Sequence, residues 1–483
     1  MQKFKKLSKT LLMATALTVV MVTASTIPDV AELSGLRAVA QETGVASQAR
    51  ADAATAARAG RPRITSTKGM TERPAKVLTK AQEMLSEEPP RFAEAKENLL
   101  RQRIEKWNTT EQAAFYQIMA SIAGGQDDLG QVLVYYKKLL GMDGISYTLR
   151  DQLTYNVGQI EFSQDNKQEG TKYLYEWLKY QPAPSISQIE FFANVHYSLG
   201  QDAADGSPEI AKNYHLAIEY LNWAVSKAKV DGKDDKENWY QVLRALHNSL
   251  EETAKVLEYA ELLATRWPKK NYWVELSNLY AMAGSEVGLT EDQVLVFEKK
   301  QFSTMELAHR QGMLDKGREL ETMSQLYLYH DSPYQAAKTM SRSFSEGASE
   351  VSRRNLELHA TSYINGKDLA EAVEPLSAAA EMSDDGNNYM RLANVYLNLD
   401  KYEEAASAID KALNKGGLSR PDQSSLMQGQ AYLSLEQFDK ARTSFREAAK
   451  TAKDDRTKKM SRDLLRYVDS EEKRIKDIKE YLS

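Results

Sequence analysis

The chain has 483 residues, no cysteine, 12 prolines, 24 glycines and a formal net charge of −5. The lack of cysteine excludes a disulfide framework and a lipid anchor on an N-terminal cysteine. The acidic balance leaves little to hold nucleic acid, which needs clustered basic side chains.

The N-terminus, "MQKFKKLSKTLLMATALTVVMV", sets Lys3, Lys5, Lys6 and Lys9 ahead of an apolar run from Leu11 to Val22. That run is too short for a membrane span, which takes about 20 apolar residues, and it has the order of a secretory signal peptide. Residues 1–40 are expected to be removed, with "AVA" before Gln41 as the cleavage site and a cut after Ala24 as the alternative. Residues 1–40 carry a net +3, so the charge of the mature chain falls from −5 to −8. Export implies a periplasmic location, with no membrane span left after cleavage. Residues 41–73 hold almost no large apolar side chain and are expected to form a flexible leader.

Beyond Pro74 the composition is helix-forming, rich in Ala, Leu, Glu, Lys and Gln, and alternating strand patterns are nearly absent. Two phrases nearly repeat each other: "NVYLNLDKYEEAASAIDKAL" from Asn394 and "QAYLSLEQFDKARTSFREAA" from Gln430. Aligning Ala405 with Ala441 as the small residue of a second helix extends the series to Ala372, Ala336 and Ser303. Upstream it falls on Ala217, Gly170, Gly130 and Ala95. A bulky apolar residue follows each one turn later: Phe445, Ile409, Leu376, Met340, Leu307, Leu221, Leu174, Val134 and Leu99. The small side chain lets two helices approach to about 8–10 Å, and the bulky one fills the partner's groove. A helix-turn-helix unit recurring about every 34 residues is the expected architecture. Tyr327, Tyr363 and Tyr396 end first helices, and Trp239 and Trp273 open two more.

These phrases resemble tetratricopeptide repeats, strongly from Leu320 to Ala449 and moderately from Thr110 to Pro268, where "VGQIEFSQDNKQEGTKYLYEWLKYQP" from Val157 is the clearest example. The resemblance implies an all-α fold, a right-handed superhelical α-solenoid, with degenerate repeats over 74–318 and regular ones over 319–453. Inserts after Tyr197, Lys229 and Gly284 depart from the family pattern. Residues 454–483 are expected to form a capping helix with Met460, Leu464, Tyr467 and Val468 on its inner face.

Little in the sequence speaks for catalysis. His196, His215, His247, His309, His330 and His359 show no metal-ligand spacing, and neither a phosphate loop nor a nucleophile elbow occurs. The acidic loops "GGQDDLG" and "VDGKDDKEN" lack the order of a calcium loop and read as turns. No cofactor, metal or small-molecule substrate is expected, and the chain is read as non-enzymatic.

A polar column in the first helices is more informative: Gln159, Asn194, Asn278, Gln325, Thr361, Asn394 and Gln430. By resemblance to the family these line the concave face of the solenoid, where amides can both donate to and accept from the backbone of a bound segment. Tyr155, Glu190, Val274, Glu321, Glu357, Met390 and Leu426, one turn earlier, are expected to share that surface and supply selectivity. Neither set contains lysine, so a lysine clamp on a C-terminal carboxylate is not expected. The overall pattern is also similar to repeat proteins associated with TonB-type energy-transducing systems, which implies a periplasmic or envelope protein as partner. The alternative is a structural assembly factor for outer-membrane or polysaccharide-export machinery.

Overall fold

The computed structural model describes residues 48–62, 64 and 68–482. The expected signal peptide and both candidate cleavage sites therefore lie outside the described residues. Among the described residues all regular structure is helical, and the chain divides into two compact units between Trp239 and Tyr240. No described helix is long and apolar enough to cross a membrane.

The first unit begins with α1 (48–59). Helix pairs come next: α2 (Glu72–Leu85) with α3 (Phe92–Leu100), α4 (Thr109–Gly125) with α5 (Leu129–Leu140), α6 (Tyr147–Ser163) with α7 (Lys167–Leu178), and α8 (Ile186–Asp202) with α9 (Pro208–Val230). The chain passes into the second unit within α10 (Glu237–Ser249). There it forms α11 (Thr253–Arg266), α12 (Lys270–Gly284) with α13 (Glu291–Arg310), α14 (Gly317–Tyr329) with α15 (Pro333–Ser345), α16 (Arg353–Asn365) with α17 (Leu369–Met382), α18 (Asn387–Asn398) with α19 (Tyr402–Lys415), and α20 (Pro421–Ser434) with α21 (Phe438–Thr451). The last helix, α22 (Asp455–Leu482), packs on α21.

Local chemistry starts several of these helices. Asn108 accepts the Glu111 N–H at 3.1 Å while the Glu111 carboxylate takes the Asn108 N–H at 2.9 Å, a capping box that supplies partners for two otherwise orphaned donors. Ser185 with Gln188 and Thr290 with Gln293 repeat the device at α8 and α13.

Seven of the hairpin turns are each set by one non-glycine residue in the left-handed region. Asp127, Asp165, Glu251, Asp331, Lys367, Asp400 and Glu436 have φ between 55° and 69°, and each is the middle of a three-residue link between helices. The next residue's N–H reaches back six positions, counting both ends: Ser332 to Tyr327, Asp368 to Tyr363, Lys401 to Tyr396 and Gln437 to Tyr432, at 2.7–3.0 Å. This is a Schellman closure, and it satisfies carbonyls that the end of a helix would leave bare. The tyrosines expected to end first helices are thus the acceptors of the closing bond.

The left-handed residue also fixes the register of the second helix. The residue five positions later is buried and small at Gly170, Ala336, Ala372, Ala405 and Ala441, and the bulky Leu174, Met340, Leu376, Ile409 and Phe445 behind them are buried as well. Between α6 and α7 the approach is so close that a Cβ on Gly170 would stand 2.7 Å from the Phe162 nitrogen and 2.8 Å from the Gly158 oxygen. In the second unit Ala360, Leu376, Ala393, Ile409 and Ala412 share one core across α16 to α19. Each pair therefore buries its apolar face on the next, at roughly 1.5–3 kcal/mol for each fully buried large side chain.

Two places in the expected series are wrong. Val134 is 43 % exposed and Gly130 is also exposed; counted from Asp127, the small position of α5 is held by Val132, which is buried. Leu307 is 41 % exposed and Ser303 is exposed, whereas Thr304 and Ala308 are buried, a one-residue slip. Here α13 is lengthened at its start, and the link 285–290 lacks the three-residue turn that sets register in seven other hairpins. Two of the three expected inserts are in fact largely helix: α8 runs to Asp202 with α9 starting at Pro208, and α13 starts at Glu291. On α22 the buried side chains are Thr457, Ser461 and Val468, with Leu464 and Leu465 against the α21 core, while Met460 and Tyr467 face outward.

The stretch expected as a flexible leader is also structured in part. Residues 48–59 are helical with Ala54 buried, and Glu72 already begins α2. Composition predicts correctly that the segment has little apolar surface to bury. Its anchors are instead polar: Arg50 reaches Glu219 on α9, a second helix, and Arg61 reaches Asp151 on α6, a first helix.

Candidate protein-binding surfaces

The polar column falls on first helices, one position per pair. In the first unit Gln159 lies on α6 and Asn194 on α8; in the second, Asn278, Gln325, Thr361, Asn394 and Gln430 lie on α12, α14, α16, α18 and α20. Asn194, Asn278, Gln325 and Asn394 are exposed, and Gln159, Thr361 and Gln430 are half-buried. Gln325, Thr361, Asn394 and Gln430 each stand six residues ahead of a left-handed turn residue, so they hold equivalent positions on four successive first helices. The same count finds two members that the sequence reading missed, Ser121 on α4 and Ala245 on α10, both exposed. Their signal was the turn, not the residue type, so a search for amides could not find them.

The members differ in how far they are engaged. Asn394 donates to the Met390 carbonyl at 3.1 Å, which leaves its side-chain oxygen directed to solvent. Thr361 is more occupied: its hydroxyl donates to the Glu357 carbonyl at 2.6 Å and accepts from the Arg391 guanidinium of α18 at 2.7 Å. Arg391 is thus a basic group on a face where the sequence reading looked only for lysine. One turn beyond the column the exposed face continues through Met282, Tyr329, Asn365, Asn398 and Ser434. Tyr329 adds a hydroxyl bonded to Glu298 at 2.8 Å.

Three glutamates of the set one turn earlier make bonds between repeats. Glu321 accepts from Ser349 and from the Asn355 amide of α16, both at 2.9 Å. Glu357 accepts from the Asn388 amide of α18 at 2.7 Å. In the first unit Glu190 accepts from Lys236 at 2.7 Å and from the Trp239 indole. These carboxylates tie one repeat to the next, and Asn355 and Asn388, both buried, are their dedicated donors. Such charge-assisted bonds are stronger than neutral ones and fix the relative placement of adjacent first helices.

His196 and His359 serve packing. His196 sits between the Tyr175 hydroxyl at 2.7 Å and the Asn213 side chain at 2.9 Å, and burial lowers its pKa. His359 lies against Ser341 at 2.9 Å, with its pKa pushed down to about 4 by burial. Among the described residues no group of three or more His, Asp or Glu is placed to hold a metal ion.

A second surface lies in the first unit, where residues 48–62 meet α6, α7 and α9. The Arg50 guanidinium pairs with Glu219 and stands 5.5 Å from the Tyr220 ring and 5.4 Å from the Trp223 ring. The side chain of Arg61 is only 10 % exposed. It donates to both oxygens of Asp151, at 3.1 and 2.5 Å, and stacks 3.6 Å from the Tyr180 ring and 4.7 Å from the Tyr147 ring. The Asp151 carboxylate offsets the burial that would otherwise lower the Arg61 pKa, and the net shift is upward.

The tetratricopeptide repeat family model matches residues 387–414 and 423–455. No curated protein sequence matches the chain. Among solved structures the chain is similar to the crystal structure of MamA protein, at 14 % identity over 38 % of this chain and 91 % of that one, with a TM-score of 0.29. The TPR2AB domain of yeast Sti1 in its pHSP90 complex is 16 % identical over 59 % of this chain and 97 % of that one, TM-score 0.31. YrrB, described as a TPR protein with an unusual peptide-binding site, is 15 % identical over 39 % and 91 %, TM-score 0.30. The chain is an all-α repeat protein that carries tetratricopeptide repeats at 387–414 and 423–455.

Proposed function

We propose that this protein is a non-catalytic interaction scaffold that holds a segment of a periplasmic or envelope protein along the first-helix stripe of its second unit. The observation that carries the reading is the equivalent placement of Gln325, Thr361, Asn394 and Gln430 on successive first helices, joined by Arg391. Side chains that donate and accept at a regular interval suit the main chain of an extended or helical segment whatever its sequence. Stacked repeats supply the long surface such a segment needs. The tetratricopeptide match over two of these repeats supports the same reading. The signal-peptide pattern of residues 1–40 supports export, and a TonB-type envelope transport system is the proposed setting.

The test is site-specific photo-crosslinking in cells from position 325, in the full chain and in the Asn394→Arg, Gln430→Arg double variant. A discrete protein adduct at 325 that the double variant loses, with helicity unchanged by circular dichroism, is the expected result. An adduct of equal yield in the double variant would remove the stripe from the account.

A further inference from the structure

The contact of residues 48–62 with α6, α7 and α9 has the make-up of a recognition site, not of a core. Along α1 only Ala54 is fully buried, with Arg50, Ala51 and Ala57 half-buried and the rest exposed. The helix is held at its ends by two guanidinium sockets. At one end Arg50 meets Glu219 beneath Tyr220 and Trp223. Just past the other end Arg61 forms a two-pronged pair with Asp151, sandwiched by Tyr180 and Tyr147. Arg58 adds a bond to Gln181 at 3.3 Å, and the Tyr147 hydroxyl donates to the Pro62 carbonyl at 2.7 Å. Between the sockets the channel is lined by Leu178 and Leu216 together with Ala53, Ala54 and Ala57 of α1.

This chemistry selects its ligand narrowly. A planar guanidinium matches a carboxylate with two parallel bonds and stacks on aromatic faces, which an ammonium does not do. Arg61 makes this two-bond pair and Arg50 a single bond to Glu219. Two guanidinium anchors eleven residues apart, about three helical turns, with alanines between them, define a ligand by spacing as well as by charge. Energy concentrated in a few aromatic and arginine anchors, with little area between, is also how exchangeable interfaces are built.

We infer that the channel between α7 and α9 is a docking site for an alanine-rich helical segment of a partner protein bearing two arginines three turns apart, and that residues 48–62 are its built-in occupant. The resident helix competes from a tether, at an effective concentration on the order of millimolar, so an external segment binds only by displacing it. None of the residues in the channel belongs to the first-helix stripe, so this inference stands or falls apart from the function proposed above.

The probe is a fluorescent synthetic peptide with the sequence of residues 48–62, titrated into the full chain. The Arg50→Ala, Arg61→Ala variant, whose own helix has lost both anchors, should bind it roughly tenfold or more tightly than the unaltered chain, because the tethered competitor is gone. Adding Asp151→Asn to that variant should abolish the gain. Equal binding by the unaltered and doubly substituted chains, or none by either at millimolar peptide, overturns the inference. A concentration-dependent dimer of the unaltered chain that the peptide dissociates would give the channel to a second copy instead, and overturns it too. Hydrogen exchange in the unaltered chain covers the case in which the variant fails to fold. Excess peptide should speed exchange in 48–59 about tenfold and leave α6 to α9 unchanged, and no change in 48–59 overturns the inference.

Discussion

Glu321 on α14 and Asn355 on α16 are joined by a 2.9 Å hydrogen bond from the asparagine amide to the glutamate carboxylate, and Glu357 and Asn388 repeat the arrangement one unit later at 2.7 Å. The bond links first helices that are not consecutive in the chain. It therefore sets the spacing of successive members of the polar stripe without belonging to the exposed surface itself.

Removing the acceptor should cost stability. In Glu321→Ala the buried Ser349 hydroxyl loses its acceptor and the buried Asn355 amide keeps only the Glu350 carbonyl at 3.0 Å, and an unsatisfied buried donor costs about 1–3 kcal/mol. Gln325→Ala, one turn on and exposed, should stay within about 0.5 kcal/mol of the unaltered chain. Urea unfolding of the two variants checks this. Similar midpoints would mean that the carboxylate does not hold the repeats together.

The turn residues give a stabilising prediction. Glu436 has φ 55°, a conformation that costs an L-residue roughly 1–2 kcal/mol and glycine almost nothing. Glycine forfeits part of that gain through its freer unfolded chain, about 0.5–1 kcal/mol. Glu436→Gly should therefore stabilise the second unit by about 0.5–1 kcal/mol, read as a raised urea midpoint. The lost side chain stands 3.6 Å from Lys479 on the surface, a pair expected to contribute little. A lowered midpoint would show that the side chain outweighs the backbone term.

Acid should weaken the fold through His359. Its ring packs 4.7 Å from that of Tyr363 and 5.5 Å from that of Phe344, and burial pushes its pKa down to about 4 from the usual value near 6.5. The unfolded chain thus takes up the proton first as pH falls. The contribution of neutral His359 is complete above about pH 6.5 and is lost as pH falls toward 4. His359→Gln can still bond Ser341 but does not titrate, so its urea midpoint should drop less between pH 7 and pH 4.5. Parallel pH profiles for the two chains would rule this out.

Much of the fold was legible because burial imposes a rhythm on residue size. Ala405 with Ile409 and Ala441 with Phe445 lie in the core as their spacing predicts. The reading failed where the rhythm was carried by backbone geometry instead. At Gly130 a small residue happened to precede the true position at Val132, and only the left-handed Asp127 reveals the frame. Asp, Glu and Lys all fill that turn position, so no single residue type marks it. The surfaces were harder still. Glu321 and Glu357 look in sequence like any exposed helical acid, because their donors come from more than 30 residues away. The docking of residues 48–62 escaped for a related reason. Composition counts apolar area, and Arg50 and Arg61 hold their helix with almost none.

Asp331, Lys367, Asp400 and Glu436 are separated by 36, 33 and 36 residues, yet the link around each is always three residues long. The link inside these four hairpins is constant, while the connections between them, 346–352, 383–386 and 416–420, differ in length and the helices themselves differ by one or two residues. In evolutionary terms each hairpin is a cassette with a locked phase. Units of unequal length can be duplicated, lost or exchanged, and every copy still presents the same side of its first helix.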